Sequence, residues 1–124
     1  KYPSYFFILT GKNEKDLANK IYNAVGSANA VNLSNKNIDE IFPIIARSDI
    51  YIGNDSFGQH ISCQSGKPTI ILLLDTPRAY SDYSKNQYRI LPEGISIDKI
   101  SHDSAIHPEK IKADKVFDKI LNLL

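Results

Sequence analysis

The chain has 124 residues, which allow at most one domain with a buried core. Apolar residues make up 42% of it and charged residues 23%, as in ordinary soluble globular proteins. Its net charge of +1 supplies no general attraction to nucleic acid or to an anionic membrane, so we expect no nucleic-acid partner.

The cysteine count and the apolar runs exclude further classes. Cys63 is the only cysteine, which excludes an internal disulfide and a zinc site built from several cysteines, and fits a reducing compartment. No apolar run is long enough to span a bilayer, and no signal peptide is visible. Because the sequence starts at Lys1 and contains no Met, we expect it to be a piece of a longer protein.

The first strand and helix are predicted from residue spacing. A continuous apolar run predicts a strand over residues 5–10 that is buried on both faces. Asn13 is expected to cap a helix over residues 14–25, which Gly26 ends. The inward stripe of this helix is expected to consist of Leu17, Ala18, Ile21 and Val25.

A second pair of elements follows in the same order. Residues 30–33 are predicted to form a short strand, and residues 38–47 a helix capped by Asn37. Pro43 lies inside this helix and lacks a backbone N–H, which predicts a kink or a later helix start.

The second half of the chain continues the alternation. We expect a strand over residues 50–52, a helix over residues 56–65 that stops at Gly66, and a buried strand over residues 69–74. The polar and aromatic loop over residues 75–87 is too long for a plain connector.

The last part of the chain is predicted to hold one strand and one helix. Residues 88–91 form the strand, residues 92–104 show no clear pattern, and His107-Pro108 starts the helix. Its inward residues are expected to be Ile111, Val116, Phe117, Ile120 and Leu121. The regular alternation predicts an α/β fold with a parallel sheet and helices on both faces.

The turn after residues 50–52 is the first candidate site. Gly53 allows a tight turn, and Asp55 and Ser56 precede a predicted helix. Ligands bind at the carboxyl ends of strands in open α/β sheets, where helix N-termini attract anions. The alternative is an ordinary turn in which Asp55 or Ser56 caps the helix.

His60 is the second candidate, because it lies one helical turn after Ser56 and on the same side. There its imidazole would support a bound phosphate; the alternative is a histidine packed in the core. Cys63 is close enough in sequence for a Cys/His pair, although an inert buried thiol is the favoured interpretation.

Charged residues in neighbouring loops complete the candidates. Glu14 stands where a carboxylate reaches a ribose in doubly wound folds, or where the helix dipole simply favours an acid. Lys36 and Lys12 would approach phosphates or face solvent, and Arg78 could make a forked phosphate contact. Three tyrosines of the following loop would stack on a base or pack within the loop: Tyr80, Tyr83 and Tyr88.

Metal and cofactor motifs are not visible in the sequence. The three histidines show neither an i, i+4 pair nor a clear carboxylate partner, so we expect no metal site. No Gly-x-Gly-x-x-Gly or Walker-type loop occurs, which argues against a dinucleotide cofactor and a P-loop NTPase.

A series of short motifs runs from about residue 6 to residue 77. They are a strand ending in Leu-Thr-Gly, then Glu14-Lys-Asp-Leu-Ala, Val31-Asn-Leu-Ser, Ile38-Asp-Glu-Ile-Phe-Pro-Ile-Ile-Ala-Arg-Ser-Asp, and Gly-Asn-Asp-Ser-x-x-x-His followed by Gly66-Lys-Pro-Thr. In this order they resemble the C-terminal, donor-binding half of glycosyltransferase family 9, the heptosyltransferases of lipopolysaccharide assembly.

The resemblance implies a fold and a site. In that family the donor lies between two Rossmann-like domains of a GT-B architecture, so residues 1–124 would form one α/β Rossmann-like domain without the N-terminal acceptor domain. The resemblance puts Asp55, Ser56 and His60 around the diphosphate of a nucleotide-sugar. It also puts Glu14 near the ribose and Lys36 beside the base.

One departure concerns the diphosphate turn itself. The family usually has glycine directly after the Asp-Ser/Thr pair, whereas this chain has Phe57 there and a glycine only at Gly58. We therefore count Phe57 and Gly58 among the donor-binding residues and expect Phe57 to narrow the pocket or to change the sugar accepted.

The function implied by the resemblance is inverting, metal-independent transfer of a heptose-like sugar to lipopolysaccharide or another surface glycan. The catalytic carboxylate would come from the missing acceptor domain, so we expect no catalytic residue in this chain and no activity from it alone. The longer protein would work in the cytoplasm, in peripheral contact with the inner face of a bacterial inner membrane. The alternatives are a non-catalytic nucleotide-sugar-binding module, in which Phe57 closes the pocket, and part of a GT-B sugar-nucleotide epimerase.

Overall fold

The computed structural model describes residues 3–124, and these form an α/β structure in which every strand pair is parallel. The strands are β1 (Phe6–Ile8), β2 (Ala30–Asn32), β3 (Tyr51–Gly53), β4 (Thr69–Leu72) and β5 (Gln87–Ile90). The α-helices are α1 (Lys15–Val25), α2 (Ile38–Arg47), α3 (Phe57–Gln64) and α4 (Ala113–Leu121). The predicted α/β class is therefore confirmed.

The chain divides into two compact units, one ending at Ile44 and the other spanning Ile45–Leu124. The strands accordingly form two sheets, β1-β2 in the first unit and β3-β4-β5 in the second, where the sequence predicted one. Strand pairing depends on backbone hydrogen bonds between segments far apart in sequence, and residue spacing does not encode them.

In the first unit, α1 covers one face of the β1-β2 pair. Ile8, Ala18 and Ala30 form the core there. Phe7 and Val31 stand opposite each other on the other face, and both remain about half exposed. The prediction of a strand buried on both faces over residues 5–10 is therefore wrong, because α1 covers only one of its faces.

The start of α1 also differs from the prediction. Asn13 does not cap the helix; Glu14 occupies the N-cap position, without a capping side-chain hydrogen bond. The reason is a turn closed by Gly11, which donates its N–H to the Glu14 carboxylate at 3.0 Å and accepts from the Glu14 N–H at 3.0 Å. The inward face shifts as well, since Ala18 is buried whereas Leu17 and Ile21 are exposed.

The start of α2 confirms the expected cap at Asn37. The Asn37 side chain accepts from the Glu40 N–H at 3.1 Å, and the Glu40 carboxylate accepts from the Asn37 N–H at 3.1 Å. This reciprocal arrangement is a capping box. It fixes the helix start at Ile38, so the alternative of a later start caused by Pro43 is wrong.

In the second unit, helices lie on both faces of the β3-β4-β5 sheet. Thr69 of β4 donates its hydroxyl to Ser62 of α3 at 2.9 Å, which puts α3 on the Thr69 face. Leu72 faces the other way, because side chains alternate along a strand. Leu72 lines a groove together with Val116 of α4, so α4 lies on that opposite face.

The C-terminal helix is shorter and more open than predicted. His107-Pro108 starts only a short 3₁₀ turn, and α4 begins at Ala113 because Ile111 and Lys112 have extended backbones. Phe117 is 59% exposed and Leu121 is also exposed, so the prediction that both point inward is wrong. The groove between α4 and the end of β4 has a volume of about 620 Å³ and an almost wholly apolar lining.

The stretch without a clear sequence pattern carries part of the core. Ile100 is buried against Ile71 and Leu73, and Ile95 and Ile97 pack beside them. A 3₁₀ helix at Ile97–Lys99 shapes this stretch. Residues 92–104 show no sustained period of two or of 3.6 residues, so no element could be predicted there from residue spacing.

Candidate functional site

The turn between β3 and α3 is built so that the start of the helix carries no side-chain cap. Ser56 occupies the N-cap position with an extended backbone, at φ −157° and ψ 173°. A serine here normally accepts from the second or third backbone N–H of its helix. The Ser56 hydroxyl instead forms a hydrogen bond with the Tyr51 hydroxyl at 3.0 Å, and within residues 3–124 no side chain caps α3. The capping alternative is therefore wrong for both Asp55 and Ser56.

Tyr51 was missed by the sequence analysis, and it shapes the whole turn. Its ring lies against Gly53 and Gly58. A Cβ atom at Gly53 would stand 2.7 Å from the Tyr51 hydroxyl oxygen, and one at Gly58 would stand 2.8 Å from that oxygen and from a ring carbon. Atoms this close must move apart, so both positions are glycine because the Tyr51 ring occupies the space. The signal in the sequence was the glycine inside the first turn of α3.

The phenol of Tyr51 is held in its neutral form. Burial raises its pKa above the ordinary value, and the hydrogen bond with Ser56 opposes this only in part. A neutral phenol can donate its proton, so Tyr51 can engage the Ser56 oxygen that would otherwise accept from the α3 backbone.

Asp55 and His60 meet a third residue, Tyr83. The His60 Nε2 atom lies 3.5 Å from a carboxylate oxygen of Asp55, whose side chain is only 9% exposed. The His60 Nδ1 atom forms a 2.5 Å hydrogen bond with the Tyr83 hydroxyl, and the two rings stack at 5.7 Å. Both imidazole nitrogens thus face protein groups. Partial burial, followed by the neighbouring Cys63, raises the pKa of Tyr83.

The loop that carries Tyr83 is fastened to α3. Gln59, which is fully buried, donates its side-chain amide to the Tyr80 carbonyl at 3.1 Å. Asn86 donates to the Cys63 carbonyl at 3.1 Å and accepts from its thiol at 3.5 Å. The Cys63 thiol is buried and bonded to Asn86, in keeping with a structural role. Tyr83 is therefore held against His60 by contacts on both sides of it in sequence.

Arg78 belongs to an ion pair within that loop. Its guanidinium Nε donates to Asp82 at 2.7 Å, and Arg89 approaches the other oxygen of Asp82 at 3.2 Å. The hydrogen bond from Arg78 is the main reason that the pKa of Asp82 lies below its ordinary value. The forked phosphate contact expected of Arg78 would have to compete with this ion pair.

The remaining predicted residues fall into two groups. Asp55, Ser56, Phe57, Gly58 and His60 lie together in the β3–α3 segment of the second unit. Phe57 is 45% exposed at the first position of α3. Glu14 and Lys36 belong to the first unit, where Glu14 bonds to Gly11 and Lys36 pairs with Glu40 at 2.9 Å.

Comparison with protein-family models, with curated proteins and with solved structures gives no match for this chain. Within residues 3–124, no group of three or more His, Cys, Asp or Glu side chains is arranged to hold a metal ion. None of the helices in this range is long and apolar enough to cross a membrane.

Proposed function

We propose that this chain is the donor-binding part of an inverting glycosyltransferase that uses a nucleotide-diphospho-sugar. The observation that carries the proposal is the uncapped start of α3, which lies directly after β3 and beside the Ser56 hydroxyl. Unpaired N–H groups at a helix N-terminus bind anions, and a diphosphate supplies two charged groups in a row. The resemblance of the surrounding motif to the Rossmann-like donor domain of glycosyltransferase family 9 supports the same assignment.

The chemistry of transfer assigns a limited role to these residues. When the sugar leaves, negative charge develops on the diphosphate, and the α3 N–H groups would stabilise it without reorganisation. Deprotonation of the acceptor hydroxyl needs a general base, which we assign to an acceptor domain outside this chain. We further propose that transfer needs no metal, and that the acceptor is lipopolysaccharide or another surface glycan at the cytoplasmic face of a membrane.

His60 takes a different role from the one first expected of it. Because Asp55 and Tyr83 occupy its two nitrogens, His60 would act on the donor through the position of Tyr83 as much as by direct contact. We propose that Asp55, His60 and Tyr83 together form the wall of the donor site one helical turn after Ser56.

Calorimetric titration of the full-length protein with ADP-, GDP- and UDP-sugars tests the proposal. We expect one nucleotide series to bind, and Ser56→Ala to weaken that binding about tenfold, as loss of a hydrogen bond to a charged group does. His60→Ala should also weaken it. Ser65→Ala, at the far end of the same helix, is the matched control and should bind like the wild type. The proposal is wrong if no nucleotide binds or if both site variants bind normally.

A further inference from the structure

We infer that Tyr51 is a positioning residue that keeps Ser56 out of the α3 cap and so keeps the first N–H groups of α3 open to an anion. The inference rests on the proposed function and adds a residue that neither the motif nor its resemblance includes. Tyr51 would not touch the donor; it would act through the Ser56 hydroxyl, 3.0 Å away.

The Ser56 hydroxyl has two possible hydrogen-bond partners, the backbone N–H groups of α3 and the Tyr51 hydroxyl. Its backbone already has the extended conformation of an N-cap, so rotation about the Cα–Cβ bond alone could bring the hydroxyl to the α3 backbone. The Tyr51 phenol offers a competing partner at the ordinary length of a hydrogen bond between hydroxyl groups. The Tyr51 hydroxyl can reach Ser56 because the Tyr51 ring lies against Gly53 and Gly58. A side chain at either glycine would displace the ring.

Because of this arrangement, removal of the Tyr51 hydroxyl should change the stability of the protein and its affinity for an anion in opposite directions. A serine cap stabilises a helix, so holding Ser56 away from the α3 backbone sacrifices stability. The same restraint keeps the N–H groups unpaired and directs the Ser56 hydroxyl towards the place where an anion would bind. Loss of the Tyr51 hydroxyl should therefore stabilise the protein and weaken anion binding, whereas loss of a merely structural contact would lower both.

The arrangement also explains why the glycine stands at position 58. Gly58 is helical and does not have a left-handed backbone, so backbone conformation does not require glycine there. The Tyr51 ring does, because it occupies the space that a Cβ atom at position 58 would need. Phe57, one residue earlier, is 45% exposed. The pair Tyr51 and Gly58 thus forms one structural unit, and Phe57 stands beside it.

The test is Tyr51→Phe in the full-length protein, with inorganic pyrophosphate, ADP, GDP and UDP as probes. We expect a melting temperature equal to or above that of the wild type, slower hydrogen exchange of the Gly58 and Gln59 amides, and a three- to tenfold loss of affinity for the probes that bind. Tyr22→Phe, at a half-buried tyrosine of α1, is the control and should leave the affinity unchanged.

A double variant decides whether Tyr51 acts through Ser56. In a Ser56→Ala background, Tyr51→Phe should change neither the affinity nor the amide exchange, because no hydroxyl is left to move. Additive effects, or a parallel loss of stability and affinity in the single variant, would overturn the inference while leaving the proposed function intact. If the wild type binds neither pyrophosphate nor any nucleotide, the proposed function fails and the inference fails with it.

Discussion

Replacement of Gly58 by alanine tests the packing of the site independently of any ligand. The new methyl group would lie 2.8 Å from the Tyr51 ring and hydroxyl. In a helix with free space, Gly→Ala stabilises a protein by up to about 1 kcal/mol, because alanine loses less backbone entropy on folding. Here the gain is opposed by a clash with a half-buried aromatic ring, and crowding of this kind costs about 1–3 kcal/mol. The expected net effect of Gly58→Ala is a loss of about 0–2 kcal/mol in the free energy of unfolding.

The clash can also be removed by replacing its other partner, the Tyr51 ring, with the smaller side chain of Tyr51→Val. Valine keeps the β-strand preference of the position and has no ring over α3. In this background Gly58→Ala should stabilise the protein by up to about 1 kcal/mol, so its effect changes sign. The coupling energy between the two substitutions is then about 1–3 kcal/mol, the range found for residues in direct contact.

Urea unfolding, followed by circular dichroism, measures all four members of this cycle. The m-values should agree, since none of the variants changes the surface exposed on unfolding by much. Gly66→Ala is a useful contrast: φ at Gly66 is +74°, so alanine is strained there whatever residue occupies position 51. If Gly58→Ala is equally destabilising in both backgrounds, the Tyr51 ring is not what requires glycine, and the structural account of the site is wrong.

Three further predictions address other parts of the chain. Asn37→Ala should lower the free energy of unfolding of the first unit by about 1 kcal/mol in urea titrations, and an unchanged value would contradict the capping box. Because Arg78 lowers the pKa of Asp82, the stabilisation that Asp82 contributes is complete above its unfolded pKa of about 3.9 and is lost as pH falls through the lower folded value. Acid titration of Asp82→Asn should therefore lack this part of the acid transition, and identical curves for variant and wild type would refute it. Tyr83→Phe should leave the melting temperature within about 2 °C of the wild type but change the NMR chemical shift of the His60 Nδ1 atom at constant pH, and an unaltered chemical shift would show that the 2.5 Å contact is not formed in solution.

The sequence predicted the alternation of strands and helices and the turn that joins β3 to α3. Local signals carry that information. Gly66 ends α3 as expected, with a left-handed backbone, and the box at Asn37 follows from two residues three apart. The turn after β3 was identified because its residues are adjacent in the sequence.

Contacts between distant residues could not be predicted in this way. Tyr51 appears in the sequence as one more β-forming residue, and its role depends on the ring lying over a glycine seven positions away. Tyr83 reaches His60 only because Gln59 and Asn86 fasten the loop between them. Exposure of Phe117 could not be predicted either, because helical periodicity identifies an apolar face but does not say what covers it.

The two oxygens of the Glu40 carboxylate serve different partners. One accepts from the Asn37 N–H and completes the cap of α2, and the other pairs with Lys36. A ligand or a substitution that removes Lys36 therefore takes away one partner of Glu40 and leaves the cap in place. Position 36 can therefore vary without loss of the capping box, because the start of α2 does not depend on the Lys36 side chain.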